Sequence, residues 1–200
     1  MEIYVNQQNP VEKMTMQQID AIFSNSRRLG YKEDIVFWGQ LGAKGKWSFR
    51  KINLYGRNNE SGTYEFFRQN ALKGGTYKEK IVGLATSTAL AKSIMMDPYG
   101  IGYSGIGFDL PGIKSLAIAE TEGMEYYKGT YKNVLQNKYP LLRLLYIYFN
   151  KEETKKLSPV IREFLKYILS YEGQEMVVKV GYLPLTYKLI KTEREKLGMN

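Results

Sequence analysis

Short strand-like runs alternate with capped helical segments along the chain, and this alternation restricts the fold more than any other feature of the sequence. Residues 3–5 and 52–55 are short runs with the composition of strands. Residues 15–18 have the spacing of a capping box, and residues 86–96 are predicted to be a helix that Asp97-Pro98 ends. Strands that alternate with helices predict an α/β fold.

The last third of the chain is predicted to be one strand followed by helices. The strongly apolar run at residues 144–149 has the composition of a strand. Ser158-Pro159 is a typical cap and first-turn pair before apolar residues at helical spacing. We expect a core stripe at Val160, Ile161, Phe164, Leu165, Ile168 and Leu169. A second helix is predicted over residues 172–180, and a surface helix or frayed end after Leu189.

The strand-like run at residues 52–55 leads into a segment that brings an arginine, two hydroxyl groups and a glycine close together in sequence. Residues 61–63 are predicted to open a helix, whose first N–H groups have no internal partner and favour an anion. Gly62 allows close approach to the main chain, and Ser61 and Thr63 can donate hydrogen bonds. Arg57 supplies a planar fork that matches two oxygens of a phosphate or carboxylate. The pattern predicts an oxyanion site.

The same residues also have a purely structural interpretation. Ser61 can be only an N-cap and Arg57 only a solvated surface charge, because Ser and Thr are ordinary residues at helix starts. The motif by itself does not decide between the two interpretations.

The charge balance favours anionic ligands or partners. The sequence has 29 Lys and Arg against 20 Asp and Glu, a formal net charge of +9. The basic residues are spread along the chain in pairs such as Arg27-Arg28, without a dense block or a known nucleic-acid fold signature. Most of the 17 tyrosines stand in apolar runs, where packing is the expected role. We therefore predict no nucleic-acid partner.

Histidine and cysteine are both absent from the sequence. Their absence removes the commonest general base, Ser-His and Cys-His nucleophile pairs, and imidazole and thiolate metal sites. The carboxylates of Asp97, Asp109, Glu120 and Glu122 have no spacing that pairs them for catalysis. Residues 100–105 match G-x-G-x-x-G, but the glycines and proline that follow exclude the helix a dinucleotide site needs. We predict no enzyme activity, no catalytic residue, no metal and no cofactor.

No run approaches the roughly 18 apolar residues of a membrane span. The first residues also lack the basic region and apolar core of a signal peptide. We expect a soluble globular protein that carries no export signal in this sequence.

Several motifs follow one another in the order found in one known family. They are Val5-Asn6 with Asn9-Pro10-Val11, Thr15 to Ser24, Gly56-Arg57 with Ser61-Gly62-Thr63 and Phe67, Asp97 to Tyr103, Tyr139-Pro140-Leu141 with Arg143 and Leu145 to Tyr148, Glu163-Phe164-Leu165, and Ser170 to Leu185. From about residue 3 to 187, the chain resembles the phosphate-binding proteins of bacterial phosphate ABC transporters, which have the type II periplasmic binding-protein fold.

This resemblance implies a domain organisation and a role. Residues 7–142 would form the second lobe, and residues 3–8 and 143–149 the crossover strands. Residues 150–200 would return to a first lobe whose N-terminal part is absent. The ligand would be phosphate, held by Arg57, Ser61, Gly62 and Thr63, with membrane permease subunits as partners. The location would be periplasmic or extracellular, at the cell envelope.

An incomplete first lobe would leave apolar helix faces uncovered, so self-association is expected through that face. It would also remove the acceptor for the phosphate proton, so sulfate would be poorly excluded. The alternative is an interaction or signalling module that keeps this oxyanion-binding fold without a transport role.

Overall fold

The computed structural model describes residues 1–107, 110–150 and 157–199. It is a mixed α/β structure that divides into two compact units, Met1–Arg143 and Leu144–Asn200. Asp109 lies outside the described residues. The assignment of residues 7–142 to a complete lobe and of residues 150–200 to part of another stays a prediction.

The first unit contains the described strands. In chain order they are β1 (Glu2–Asn6), β2 (Lys13–Thr15), β3 (Asn53–Arg57), β4 (Val82–Leu84), β5 (Gly100–Ser104), β6 (Ile113–Ser115) and β7 (Ala117–Ala119). Five of them form one sheet in the order β4-β3-β5-β1-β6, and β2 pairs with β7 in a separate parallel pair. β3 runs parallel to both β4 and β5, whereas β1 runs antiparallel to β5 and β6.

The described helices fall on both units. They are α1 (Met16–Phe23), α2 (Gly62–Asn70), α3 (Ser87–Met96), α4 (Tyr131–Leu135), α5 (Pro159–Ile168), α6 (Tyr171–Lys179) and α7 (Tyr187–Lys196). Two short 3-10 helices, Trp38–Leu41 and Gly45–Trp47, interrupt the loop-rich stretch before β3.

Local capping explains where the main helices begin. Thr15 and Gln18 form the predicted capping box at the start of α1. Ser61 caps α2, Thr86 caps α3 and Ser158 caps α5, in each case by accepting a backbone N–H through the side-chain oxygen. The sequence predictions for these four helix starts are confirmed.

Helices cover the sheet of the first unit on both faces. Leu90 and Ile94 of α3 pack on one face with the buried Tyr4 of β1. On the other face Tyr103 of β5 stacks on Phe67 of α2, with ring centroids 3.8 Å apart and planes within 2°. Adjacent residues of a strand face opposite sides of the sheet. Tyr103 of β5 therefore contacts α2 on one face, while Gly102 lies against α3 on the other.

Residues 144–149 do not form the predicted strand. The structure assigns them no regular secondary structure, and the side chains of Leu145 and Tyr148 are 61% and 89% exposed. A strand needs a neighbouring strand for its backbone hydrogen bonds, and the described part of the second unit contains none. The strand prediction for residues 144–149 rested on strand propensity alone and is wrong.

Two smaller features differ from what the sequence pattern indicates. Residues 114–118 have the composition of one short strand, but the structure divides them between β6 and β7, with Leu116 between the two. The apolar stripe of α5 is core only in part, since Leu165 and Leu169 are buried but Val160 and Phe164 are 80% and 54% exposed. Helical spacing identified the apolar face of α5 correctly but did not reveal that Val160 and Phe164 on this face are exposed.

Candidate anion-binding site

Three parallel strands end at one edge of the sheet, which we call the carboxyl edge. The register pairs Arg57 of β3 with Leu84 of β4, and β5 ends near the same level. α2 begins five residues after β3 ends, and α3 begins three residues after β4 ends. In open α/β sheets, ligands bind outside the carboxyl ends of the strands, where helix N-termini point.

The predicted residues 61–63 form the start of α2. The Ser61 hydroxyl accepts the Thr63 N–H at 3.1 Å, so it satisfies one first-turn donor and keeps its own proton to donate. Gly62 is exposed and is the first helical residue, so its N–H has no intrahelical acceptor. Two hydroxyl groups and one N–H are therefore available as neutral donors at one helix start.

The structure bonds Arg57 to the turn between β4 and α3, and to none of Ser61, Gly62 and Thr63. Its Nε donates to the Leu84 carbonyl at 3.2 Å and its Nη2 to the Ala85 carbonyl at 2.8 Å. Its Nη1 donates to the Ser87 hydroxyl at 3.1 Å.

Arg57 is consequently held rigidly at the carboxyl edge. A guanidinium has five N–H donors, and the three bonds leave one N–H on each terminal nitrogen. The side chain is only partly buried, so these two donors can reach a ligand. A fork held in place loses little conformational entropy when it binds an anion.

Two hydrogen-bonded tyrosines, Tyr103 and Tyr77, hold the first turn of α2 in place. The sequence alone did not predict this contact. The Tyr103 hydroxyl donates to Tyr77 at 2.9 Å, and the Tyr77 hydroxyl donates to the Tyr64 carbonyl in the first turn of α2, also at 2.9 Å. Burial raises the pKa of Tyr103 to about 12 and that of Tyr77 well above its usual range. Both phenols therefore stay protonated and keep donating.

Of the four carboxylates considered for catalysis, the structure describes Asp97, Glu120 and Glu122, and it shows no contact between Asp97 and the other two. Asp97 accepts hydrogen bonds from Asn53 at 2.8 Å and Tyr55 at 2.9 Å, which joins the start of β3 to the end of α3. Glu120 and Glu122 are exposed in a turn. Within the described ranges, no group of three or more His, Cys, Asp or Glu side chains could hold a metal ion.

The glycine motif at residues 100–105 serves packing. It forms β5 and a turn, and no helix follows within the next residues that the structure describes. A Cβ at Gly102 would lie 2.9 Å from the Tyr55 carbonyl oxygen and about as close to Ile94, so the glycine lets α3 approach the sheet.

Comparison with known proteins identifies the family. Residues 3–172 match the model of a PBP superfamily domain. This match covers well over half of the chain, so the protein belongs to the PBP superfamily. The predicted α/β fold of the type II periplasmic binding-protein kind is confirmed.

The similar proteins carry phosphate in their names. The chain is 41% identical over 199 residues to the phosphate-binding protein PstS of Pseudomonas aeruginosa PAO1, a match that covers 100% of this chain and 62% of that protein. A structure described as a possible phosphate binding protein from Planctomyces limnophilus aligns with TM-score 0.74 and 22% identity over 98% of this chain and 68% of that one. An ABC-type phosphate transport receptor from Vibrio cholerae aligns with TM-score 0.66 and 20% identity over 92% and 68%.

These findings confirm the predicted resemblance to phosphate-binding proteins of ABC transporters. The named relatives are binding proteins and receptors rather than enzymes. The chain spans 62% of the length of its curated relative from Pseudomonas aeruginosa. Among the described helices, none combines the length and apolar character needed to cross a membrane.

Proposed function

We propose that the chain binds inorganic phosphate at the carboxyl edge, as part of the substrate-binding component of an ABC-type phosphate uptake system. The observation that carries this proposal is the fork of Arg57, fixed by three hydrogen bonds at the edge where α2 begins with an unpaired N–H. The names of the relatives support the choice of phosphate among oxyanions.

Each residue has a separate role in the proposed site. Arg57 provides the positive charge and two directed N–H donors. Gly62 provides a backbone N–H at the positive end of the α2 dipole. The hydroxyl groups of Ser61 and Thr63 are neutral donors that can turn toward oxygen atoms of the ligand.

Discrimination between phosphate and sulfate is expected to be weak. The four proposed ligand groups all donate hydrogen bonds, and a site rejects sulfate only if it contains an acceptor for the phosphate proton. We therefore expect sulfate to compete for the same site.

The partners would be permease subunits in the membrane, and the location would be the periplasm or the outside of the cell, at the envelope. Both proposals follow the names of the relatives as transport receptors. An interaction or signalling module that keeps the anion site would bind the same ligand without engaging a permease.

Isothermal titration of phosphate and of sulfate into the chain tests the proposed ligand. We expect saturable binding of both anions with dissociation constants on the order of 1 mM. The described donors contact only one side of the ligand, so the other side stays hydrated and the affinity is limited. Affinities for the two anions should agree within about tenfold. The absence of saturable heat with either anion would contradict the proposal.

Self-association is a second proposal, and exposed apolar side chains of the second unit favour it. Tyr146 and Tyr148 before α5 and Val160 and Phe164 on α5 are each more than half exposed. Apolar groups at this density commonly mark a contact surface.

We expect the sedimentation coefficient to rise with protein concentration, and Phe164→Glu to reduce that rise. Lys166→Gln on the same helix changes the net charge by the same amount without removing an apolar group and should leave the rise unchanged. A chain that stays monomeric at all concentrations would contradict self-association.

A further inference from the structure

Arg143 contacts the first turn of α2 from a distant part of the sequence. Its Nη1 donates to the Gly62 carbonyl at 2.9 Å across 81 residues of chain. The centre of the guanidinium lies 5.4 Å from the ring centroid of Phe66, one turn further along α2. The side chain therefore lies along the N-terminal turn of the helix that carries Ser61, Gly62 and Thr63.

The small size of Gly62 makes room for this guanidinium. A Cβ at Gly62 would lie 3.1 Å from Nη2 of Arg143, which is closer than most real Cβ contacts. Gly62 is not among the residues with positive φ, so its backbone does not itself require glycine. Arg143 occupies the space beside Gly62, so a side chain at this position would have to displace the guanidinium.

The charge of Arg143 lies at the positive end of the α2 dipole, where the Gly62 carbonyl and the Phe66 ring hold it. The N-terminal end of a helix carries partial positive charge, so a cation there is repelled. No carboxylate within residues 1–107, 110–150 and 157–199 forms an ion pair with Arg143. An anion bound at the start of α2 would relieve this repulsion.

We propose that Arg143 is a second cationic group of the phosphate site and strengthens the binding of doubly charged tetrahedral oxyanions. This inference rests on the proposed phosphate function. Arg57 contributes charge from the end of β3, and Arg143 contributes charge from the segment after α4. Two positive charges and one helix N-terminus attract a dianion more strongly than one charge would.

Replacing Arg143 with glutamine and with lysine separates its charge from its hydrogen bond. Glutamine can still donate to the Gly62 carbonyl but carries no charge, whereas lysine keeps the charge and one donor. In titrations with inorganic phosphate and with sulfate, we expect Arg143→Gln to raise both dissociation constants about tenfold. We expect Arg143→Lys to stay within about threefold of the unaltered chain.

Arg68→Gln is the matched control, because it removes the same charge from the last turn of the same helix, where Arg68 pairs with Glu65 at 2.8 Å. It should leave both dissociation constants unchanged. Thermal unfolding without anion identifies any variant that does not fold. If Arg143→Gln does not fold, the dissociation constants of Arg143→Lys still test the proposal, because a loss larger than about threefold would contradict it.

The possible outcomes separate the two proposals. Unchanged phosphate affinity in Arg143→Gln, with binding by the unaltered chain, would overturn the role of Arg143 and leave the phosphate function standing. Equal losses in Arg143→Gln and Arg143→Lys would overturn the charge role in the same way. No anion binding by the unaltered chain would overturn both proposals.

Discussion

Replacement of Arg57 by glutamine is expected to weaken phosphate binding about 100-fold, which corresponds to two charge-assisted hydrogen bonds. The variant removes the charge and the fork at the carboxyl edge. It also removes the bonds to Leu84, Ala85 and Ser87 that join the end of β3 to the start of α3. Arg57→Lys keeps the charge but cannot form the same three bonds, so we expect an intermediate loss.

The measurement is an isothermal titration of phosphate into the unaltered chain and the variants. Arg50→Gln is the control, because Arg50 precedes β3 and lies at the opposite end of that strand, over the ring of Tyr99. It removes the same charge and should bind phosphate like the unaltered chain. An equal loss in Arg50→Gln would mean that net charge, and not the position of Arg57, controls binding.

Gly173→Ala is expected to destabilise the second unit by about 3 kcal/mol or more, which is at the upper end for overpacking a buried site. Gly173 is buried in the first turn of α6, where α6 meets the end of α5. A Cβ at this position would lie 1.9 Å from the Tyr167 carbonyl oxygen and 2.8 Å from its carbonyl carbon. These are backbone atoms, so α5 and α6 would have to separate.

Gly62→Ala provides the matched comparison for Gly173→Ala. Both glycines lie in the first turn of a helix, but the Cβ at Gly62 would meet only the flexible end of Arg143. We expect its stability to change by less than about 1 kcal/mol, in line with the higher helix propensity of alanine. Urea unfolding measures both effects, and hydrogen exchange of α5 and α6 locates the effect of Gly173→Ala. Normal protection of α5 and α6 in Gly173→Ala would contradict the packing described here.

The parts of the fold that sequence predicted correctly are those determined by nearby residues. The start of α1 follows from Thr15 and Gln18, and the start of α2 follows from Ser61, because each cap forms within three residues. The end of α3 before Pro98 is equally local. The residues that make these contacts are neighbours in the sequence, so a local pattern predicts them.

The errors concern structure that depends on distant partners. Strand β4 has only three residues, one of them Gly83, and it becomes a strand through its parallel pairing with β3. The run at residues 144–149 has the better strand composition but no described partner strand. Strand propensity measures how well a residue fits a sheet, and it does not establish that a sheet is there.

In the candidate site, too, local features could be predicted from the sequence and contacts between distant residues could not. The position of Ser61 at the start of α2 could be predicted, whereas the groups that fix Arg57 lie 27 to 30 residues later in the chain. Arg143 reaches Gly62 across 81 residues, and Tyr77 stands in a loop with no periodic pattern. No signal within one sequence connects these positions.

An NMR titration that follows the backbone amide signals of the chain while inorganic phosphate is added tests the proposed anion site at the level of single residues. We predict that the amide signals of Gly62 and Thr63 shift with a common saturation curve, and that those of Ser87 and the Arg57 Nε respond with them. Signals from α6 and α7 should stay unchanged. Saturable shifts elsewhere with none at Gly62 and Thr63 would contradict an anion site at the start of α2.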